Sequence, residues 1–373
     1  MERPPLSIAF HGAARTVTGS RHLLRFGGQR WLVDCGLYQG HRDEADRINR
    51  SFAFEPAGVH GVLVTHAHLD HTGNLPTLVH QGFRGPIHMT AATADLARVM
   101  LQDSASLMLK DAEHVNRHHG RGRPPRRPLY SMDDVRHTLD LIVEHPYDAP
   151  FAPTPGMEVR FRDAGHILGS AFLEITCKAG GSVQHVCMGG DTGRYGRPIL
   201  RDPAVPSFAP EVLVLESTYG DRLHAPEAET LESLVQVVHR TVARGGRVLV
   251  PAFAVGRTQD LLYLLSDLYR RKRLPPLYIY VDSPMALKAT EITLKHAELL
   301  DAETREMFNW LRKNHERPQI NFVHDAEESM DLAKIRSGAV IISAAGMCNA
   351  GRIKHHLASN LNRKECAVLF TGY

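Results

Sequence analysis

Short apolar runs separated by glycine-rich turns fill the chain to about residue 90. "LSIAFHG", "SRHLLRF", "RWLVDCG" and "HGVLVTH" are rich in branched and aromatic residues and predict strands. Apolar positions then recur at helical spacing in "GNLPTLVHQG" and "TADLARVMLQDSASLML". The segment that follows, "NRHHGRGRPPRRPLY", is basic and interrupted by proline and glycine, and it predicts neither helix nor strand. Ser131 offers an N-cap to a helix over "MDDVRHTLDLI", and strands return at "EVRFRDAG", "SAFLEITC" and "VQHVCMGGD".

After about residue 205 the rhythm changes. "EVLVLES", "RVLVPAFA", "LYIYVDS" and "AVIISAAG" are continuous apolar runs of strand length. Between them lie amphipathic stretches such as "AETLESLVQVVHRTVARGG" and "RTQDLLYLLSDLYRR". A parallel sheet covered on both faces requires that alternation. The boundary is placed in "RDPAVPSFAP", dividing a first domain, 1–205, from a second, 206–373. A length of 373 residues suits two domains, on a prior of roughly 150 residues each.

Composition narrows the class only a little. Hydrophobic content of 43% and charged content of 23% are ordinary for a globular protein, and a net charge of +3 is too small to argue for nucleic acid by itself. "MERPPLSIAF" lacks the charged head and apolar run of a signal peptide, and no apolar stretch approaches a membrane span, so a cytoplasmic protein is expected, with no membrane partner. The five cysteines form no Cys-x-x-Cys pair. Cys35, Cys177 and Cys187 lie in or beside apolar runs, where cysteine is usually a small buried hydrophobe.

The 23 histidines are the unusual entry in the composition, and several are placed. "VTHAHLDHTGNLP" sets His66, His68, Asp70 and His71 on the turn between a strand and a helix. Residues two apart on an extended chain point the same way, so His66 and His68 can face one metal ion. Asp70 and His71 follow the bend and can face a second. Neutral imidazole and carboxylate suit zinc and similar divalent ions. "RDAGHILGSA" repeats the layout with His166 in a glycine-flanked turn, and "HVCMGGDTGR" ends an apolar run on Asp191.

The ordered set Asp34, His66, His68, Asp70, His71, His166 and Asp191 resembles the metallo-β-lactamase superfamily, and "VLESTYGDR" and "VPAFAVGRTQDLL" resemble its β-CASP branch, over essentially the whole chain. The resemblance implies an α/β fold: a metallo-β-lactamase αββα sandwich followed by a parallel-sheet α/β β-CASP domain. It implies two zinc ions, the first on His66, His68 and His166, the second on Asp70 and His71, with Asp191 bridging both. It makes Asp34 a carboxylate that orients ligands and Glu216 the acidic residue that supports a histidine of the site, and it sets Asp70 close to the attacking water. It also implies RNA as substrate, cut internally, with 5′ exonuclease action as a second mode. In the family a further segment supplies a histidine to the second ion, whereas this chain stops at "CAVLFTGY". The expectation is therefore a weakly held second zinc and weak or no cleavage as written. His355 and His356 lie where the family uses no ligands.

Substrate contacts are expected from the second domain. "VIISAAGMCNAGRI" is a strand, a small-residue turn with Ser343, Gly346 and Gly351, and a helix start; "PAFAVGRTQ" repeats the arrangement with Gly256 and Arg257. Free backbone N–H groups at such turns make anion sites, and two in one domain favour a track for the phosphates of single-stranded RNA. In the basic segment, Arg117, Arg121, Arg123, Arg126 and Arg127 with His118 and His119 either contact phosphates or form a solvated connection. Two other readings stay open: hydrolysis of small thioesters or lactams, which use the same ligands, and a non-catalytic RNA-binding scaffold. A homo-oligomer is compatible with all three.

Overall fold

The computed structural model describes residues 6–118 and 125–371. By its contacts the chain divides into two units, Met1–Tyr195 with Asp202–Gly220, and Gly196–Arg201 with Asp221–Tyr373. The expectations for His119, Arg121 and Arg123 lie outside the described residues.

Two sheets build the first unit. One runs in the order β1 (Leu6–Phe10), β2 (His22–Phe26), β3 (Gln29–Val33), β4 (Gly61–Leu63), β5 (Ile87–Thr90), β6 (Ile142–His145). It is antiparallel up to β3 and parallel beyond. The other contains β7 (Phe151–Thr154), β8 (Met157–Asp163), β9 (Ala171–Ala179), β10 (Ser182–Met188) and β11 (Val212–Val214) as neighbours. Successive side chains of a strand point to opposite faces, and this alternation makes the layers. Leu24, Val33 and Leu63 pack inward on Val159, Leu173 and Ile175 of the second sheet. Leu23, Leu32 and Val62, one position earlier in each strand, pack outward on Leu75 and Leu78 of the helix Leu75–His80 and on Ala94 and Ala97 of the helix Ala91–His118.

Two expectations need correction here. The long helix runs through Asn116, Arg117 and His118, which were expected to be irregular. These are tolerable helix residues, and the breaking glycines and prolines come only after them. Asn116 holds the returning chain, accepting from Arg126 N at 2.7 Å and donating to Arg126 O at 3.0 Å. The apolar run "EVLVLES" was expected in the parallel sheet of the second domain. Its strand β11 instead pairs parallel with β10 in the first unit. An apolar run specifies a strand but not its neighbour.

The second unit holds one sheet, β12 (Arg247–Pro251), β13 (Tyr278–Asp282), β14 (Gln319–Phe322), β15 (Ala339–Ser343) and β16 (Ala367–Val368), in the order β14-β13-β15-β12-β16. All its pairings are parallel. Val248, Val250, Val340 and Ile342 pack on one side with Leu234 of the helix Glu227–Ala243 and with Leu261 and Leu265 of the helix Arg257–Arg270. Leu249 and Ile341 face the other side, towards Val323, Leu332 and Leu357. Both faces are covered, which is why these strands carry no polar alternation. Among the described residues no helix is long and apolar enough to cross a membrane.

Candidate metal centre

The histidine segment continues outward from β4, with Val64 N still donating to His88 O at 2.9 Å. His68 stands immediately before the short helix Leu69–Thr72, so His66 and His68 lie on the extended part and Asp70 and His71 on the turn. Residues 34–37 run alongside and hold this loop by its backbone. Cys35 N donates to His71 O at 2.7 Å, Leu37 N to Leu69 O at 2.8 Å, and Ser20 N to Asp70 O at 2.8 Å. So close an approach requires glycine at position 36, where a Cβ would lie 1.5 Å from Asp70 O. His166 is presented by a turn that Ser170 closes, its Oγ accepting from His166 N at 3.0 Å and Ile167 N at 3.2 Å. Asp191 follows the end of β10.

These segments bring four ligand atoms together. His68 Nδ1 lies 3.2 Å from both His66 Nε2 and His166 Nε2. Asp191 Oδ2 lies 3.7 Å from His66 Nε2 and 3.5 Å from His166 Nε2. All four atoms fall within 4.8 Å of one another. Ligands held about 2.0–2.1 Å from a tetrahedral ion sit roughly 3.3 Å apart, so this donor set fits a zinc-sized cation. Burial pushes the pKa of His66 well below the usual range, aided by the charge of His71, and pushes His68 down to about 4, aided by His166. Both are thus neutral imidazoles, the form that binds metal.

Asp34 organises the site from behind. It is buried at 1% exposure, with a left-handed φ of 59°. Its Oδ2 lies 2.7 Å from His71 Nδ1, and its carboxylate accepts from Thr65 N at 2.8 Å and from Thr65 Oγ1 at 2.9 Å. With that hydroxyl donating to Asp34, the Thr65 oxygen is left to accept from His66 Nδ1, 3.1 Å away. The lone pair of His66 is thereby fixed on Nε2, facing the other ligands. Thr65 was missed in the sequence, where it passes as one more branched strand residue. On the far side, His71 Nε2 lies 3.2 Å from Asp191 Oδ1 and 3.9 Å from Asp70 Oδ2. Burial alone would depress His71, but Asp34 and Asp191 more than offset it and hold its pKa well above the usual value. Asp191 therefore turns one oxygen to His66 and His166 and the other to His71.

The remaining candidates fare unevenly. Glu216 accepts from the backbone amides of Thr192 at 3.4 Å and Thr218 at 3.3 Å. In the second unit, Ser343 is 1% exposed and donates to Asp282 O at 2.9 Å, which takes its hydroxyl out of any phosphate track. Gly346 lies in the turn after β15, and Gly351, at φ 75°, returns the chain towards the helix Ile353–Asn360. Arg257 opens the helix Arg257–Arg270, its Nη1 3.2 Å from Asp260 Oδ2. His356 is buried, and its Nε2 lies 2.6 Å from Asp282 Oδ2.

Residues 19–158 match the metallo-β-lactamase superfamily and residues 258–373 the Beta-Casp domain. The chain is 37% identical to Ribonuclease TTHA0252 of Thermus thermophilus, across 99% of this chain and 79% of that protein. It belongs to the β-CASP branch of the metallo-β-lactamase superfamily. This β-CASP chain is also 29% identical to Transcription termination factor FttA of Methanosarcina mazei, over 97% of its own length and 55% of the relative's. With FttA of Methanocaldococcus jannaschii the identity is 28%, over 99% and 56%. The chain thus spans about half the length of these FttA relatives. Membership makes it a metal-dependent hydrolase, and the fold carries a divalent-metal site with which the His/Asp group agrees.

Proposed function

We propose that this chain is a zinc-dependent ribonuclease that cuts single-stranded RNA internally, with trimming from the 5′ end as a second mode. The observation that supports it most is Asp191, whose two oxygens face two separate sets of imidazoles, His66 with His166 and His71. A carboxylate so divided suits a bridging ligand between two ions. RNA as the polymer rests on the name of the Thermus relative. Divalent ions in such a site supply an activated water at neutral pH and positive charge for the phosphoryl oxygens.

The protein's own groups have separable tasks. His66 and His68 present neutral nitrogens, His166 turns its Nε2 to His68 Nδ1 at 3.2 Å, and Asp34 holds His71 directly and His66 through Thr65. Asp70, its Oδ2 3.9 Å from His71 Nε2, would orient the attacking water and take its proton. Among the described residues the first set has four donors and the second has Asp70, His71 and the shared Asp191, so a second ion would be held more loosely. Arg257, at the start of its helix, and Gly346 and Gly351, in the turn after β15, are candidates for phosphate contacts.

Metal analysis combined with cleavage of a 5′-labelled single-stranded RNA tests this reading. Bound zinc and labelled fragments of intermediate length are expected, both lost in His68→Ala while the circular dichroism spectrum persists. A zinc-loaded protein that leaves the RNA intact overturns it.

A further inference from the structure

The parallel sheet of the second unit changes the direction of its connections between two neighbouring strands. From β12 the chain enters the helix Arg257–Arg270, whose Leu261 and Leu265 pack on one face of the sheet. From the adjacent strand β15 it enters the helix Ile353–Asn360, whose Leu357 packs on the opposite face. Neighbouring parallel strands whose connections leave on opposite faces define a switch point, and ligands of open α/β sheets bind at the carboxyl ends of the strands there.

Phe253 and the turn after β15 stand at this point. The β12 and β15 ends are tied together, Ala252 N donating to Ser343 O at 3.1 Å. Phe253 follows immediately and is 44% exposed, and Met347 in the opposite turn is 49% exposed. Between them is Gly346: a Cβ there would lie 3.3 Å from two carbons of the Phe253 ring. The missing side chain lets the turn lie against the ring and support it while the rest of the ring stays in solvent. Thr258 N and Oγ1 donate to Phe253 O at 3.1 and 2.8 Å, which sets the start of the Arg257–Arg270 helix beside the aromatic residue. Arg257 and Arg197 share the single carboxylate oxygen Asp260 Oδ2, at 3.2 and 3.4 Å, two cations on one anionic group.

We propose that Phe253, backed by Gly346 and flanked by Met347, is a stacking platform for one nucleobase of the RNA, with the adjoining phosphate drawn to the guanidinium of Arg257. A flat apolar ring beside the Arg257 guanidinium matches a nucleotide, which has a planar face and an anionic link, better than it matches an apolar peptide. The proposal rests on the RNA reading above and adds a base-recognising subsite to it.

The test uses the full chain in a chelator, so that nothing is cut. It compares affinity for a single-stranded RNA with affinity for an abasic ribose-phosphate strand of equal length. Phe253→Ala and Phe253→Leu should each weaken binding of the base-bearing strand about 10-fold and leave the abasic strand unchanged, while Phe253→Trp should keep or tighten it. If both variants bind base-bearing RNA as the wild type does, or lose the two strands equally, the platform is refuted and the ribonuclease reading stands. A wild-type protein that binds neither strand overturns both.

Discussion

Each unit sets an aspartate beside imidazole groups, and the two clusters are completed in opposite ways. In the second unit, Asp282 is 0% exposed at the end of β13. One of its oxygens accepts from Arg352 Nη1 at 2.7 Å, the other from His356 Nε2 and Ser329 Oγ, each at 2.6 Å. Its charge is met by a guanidinium and its lone pairs by donors. In the first unit, the nitrogens of His66, His68 and His166 face one another and Asp191 at 3.2 to 3.7 Å. Their lone pairs converge, and a cation is what stabilises such convergence. Histidine beside aspartate does not by itself mark a metal site; the direction of the lone pairs does. The Asp282 cluster should therefore act as a structural clamp, indifferent to metal, and the His66 cluster as a metal site that adds little stability without its ion.

The largest expected effect lies in the clamp. Asp282→Ala leaves Arg352 and His356 without their acceptor and should cost about 3–5 kcal/mol of stability, measured by urea unfolding. Zinc uptake per folded chain should not change. If uptake falls with stability intact, the two clusters are not independent.

Next comes metal removal. Zinc at about a hundredfold excess over its Kd should stabilise the wild type by about 2.7 kcal/mol relative to chelator. The increment should vanish in His68→Ala, whose stability in chelator should stay close to that of the wild type. A zinc-dependent rise in the variant's unfolding midpoint would contradict the ligand assignment. Asp34→Asn should weaken zinc about 10–100-fold in a chelator competition, because the amide keeps only one acceptor oxygen and cannot serve both His71 and Thr65 as the carboxylate does.

The smallest effect is the clamp's pH dependence. Burial would raise the pKa of Asp282, but His356, Ser329 and Arg352 bring it below its ordinary value. The resulting stability is complete above about pH 3.9, the ordinary aspartate value, and is lost as pH falls through the depressed folded-state pKa. In that window the wild-type urea midpoint should fall more steeply than that of Asp282→Asn, and equal slopes would refute it.

What could be read from sequence follows the same contrast. The metal loop was legible because His66, His68, Asp70 and His71 crowd one strand end, and the extended backbone decides which of them face together. The clamp was not, since Asp282 and His356 lie 74 residues apart and only the fold of the sheet joins them. The parallel sheet showed itself in apolar runs without alternation, yet the same pattern misplaced β11, whose partner β10 is a matter of topology. The bond from the Ser343 hydroxyl to Asp282 O was not legible, because it joins strand ends 61 residues apart. Thr65 was invisible because its role depends on a carboxylate 31 residues away.

The central claim is that the convergent imidazoles of the first unit are a metal centre. Calorimetric titration of the chelator-stripped protein with zinc, with His68→Ala in parallel, tests it most directly. Tight binding of at least one ion per wild-type chain, abolished in the variant, is the result expected. No binding heat in the wild type, or an undiminished isotherm in His68→Ala, would contradict it.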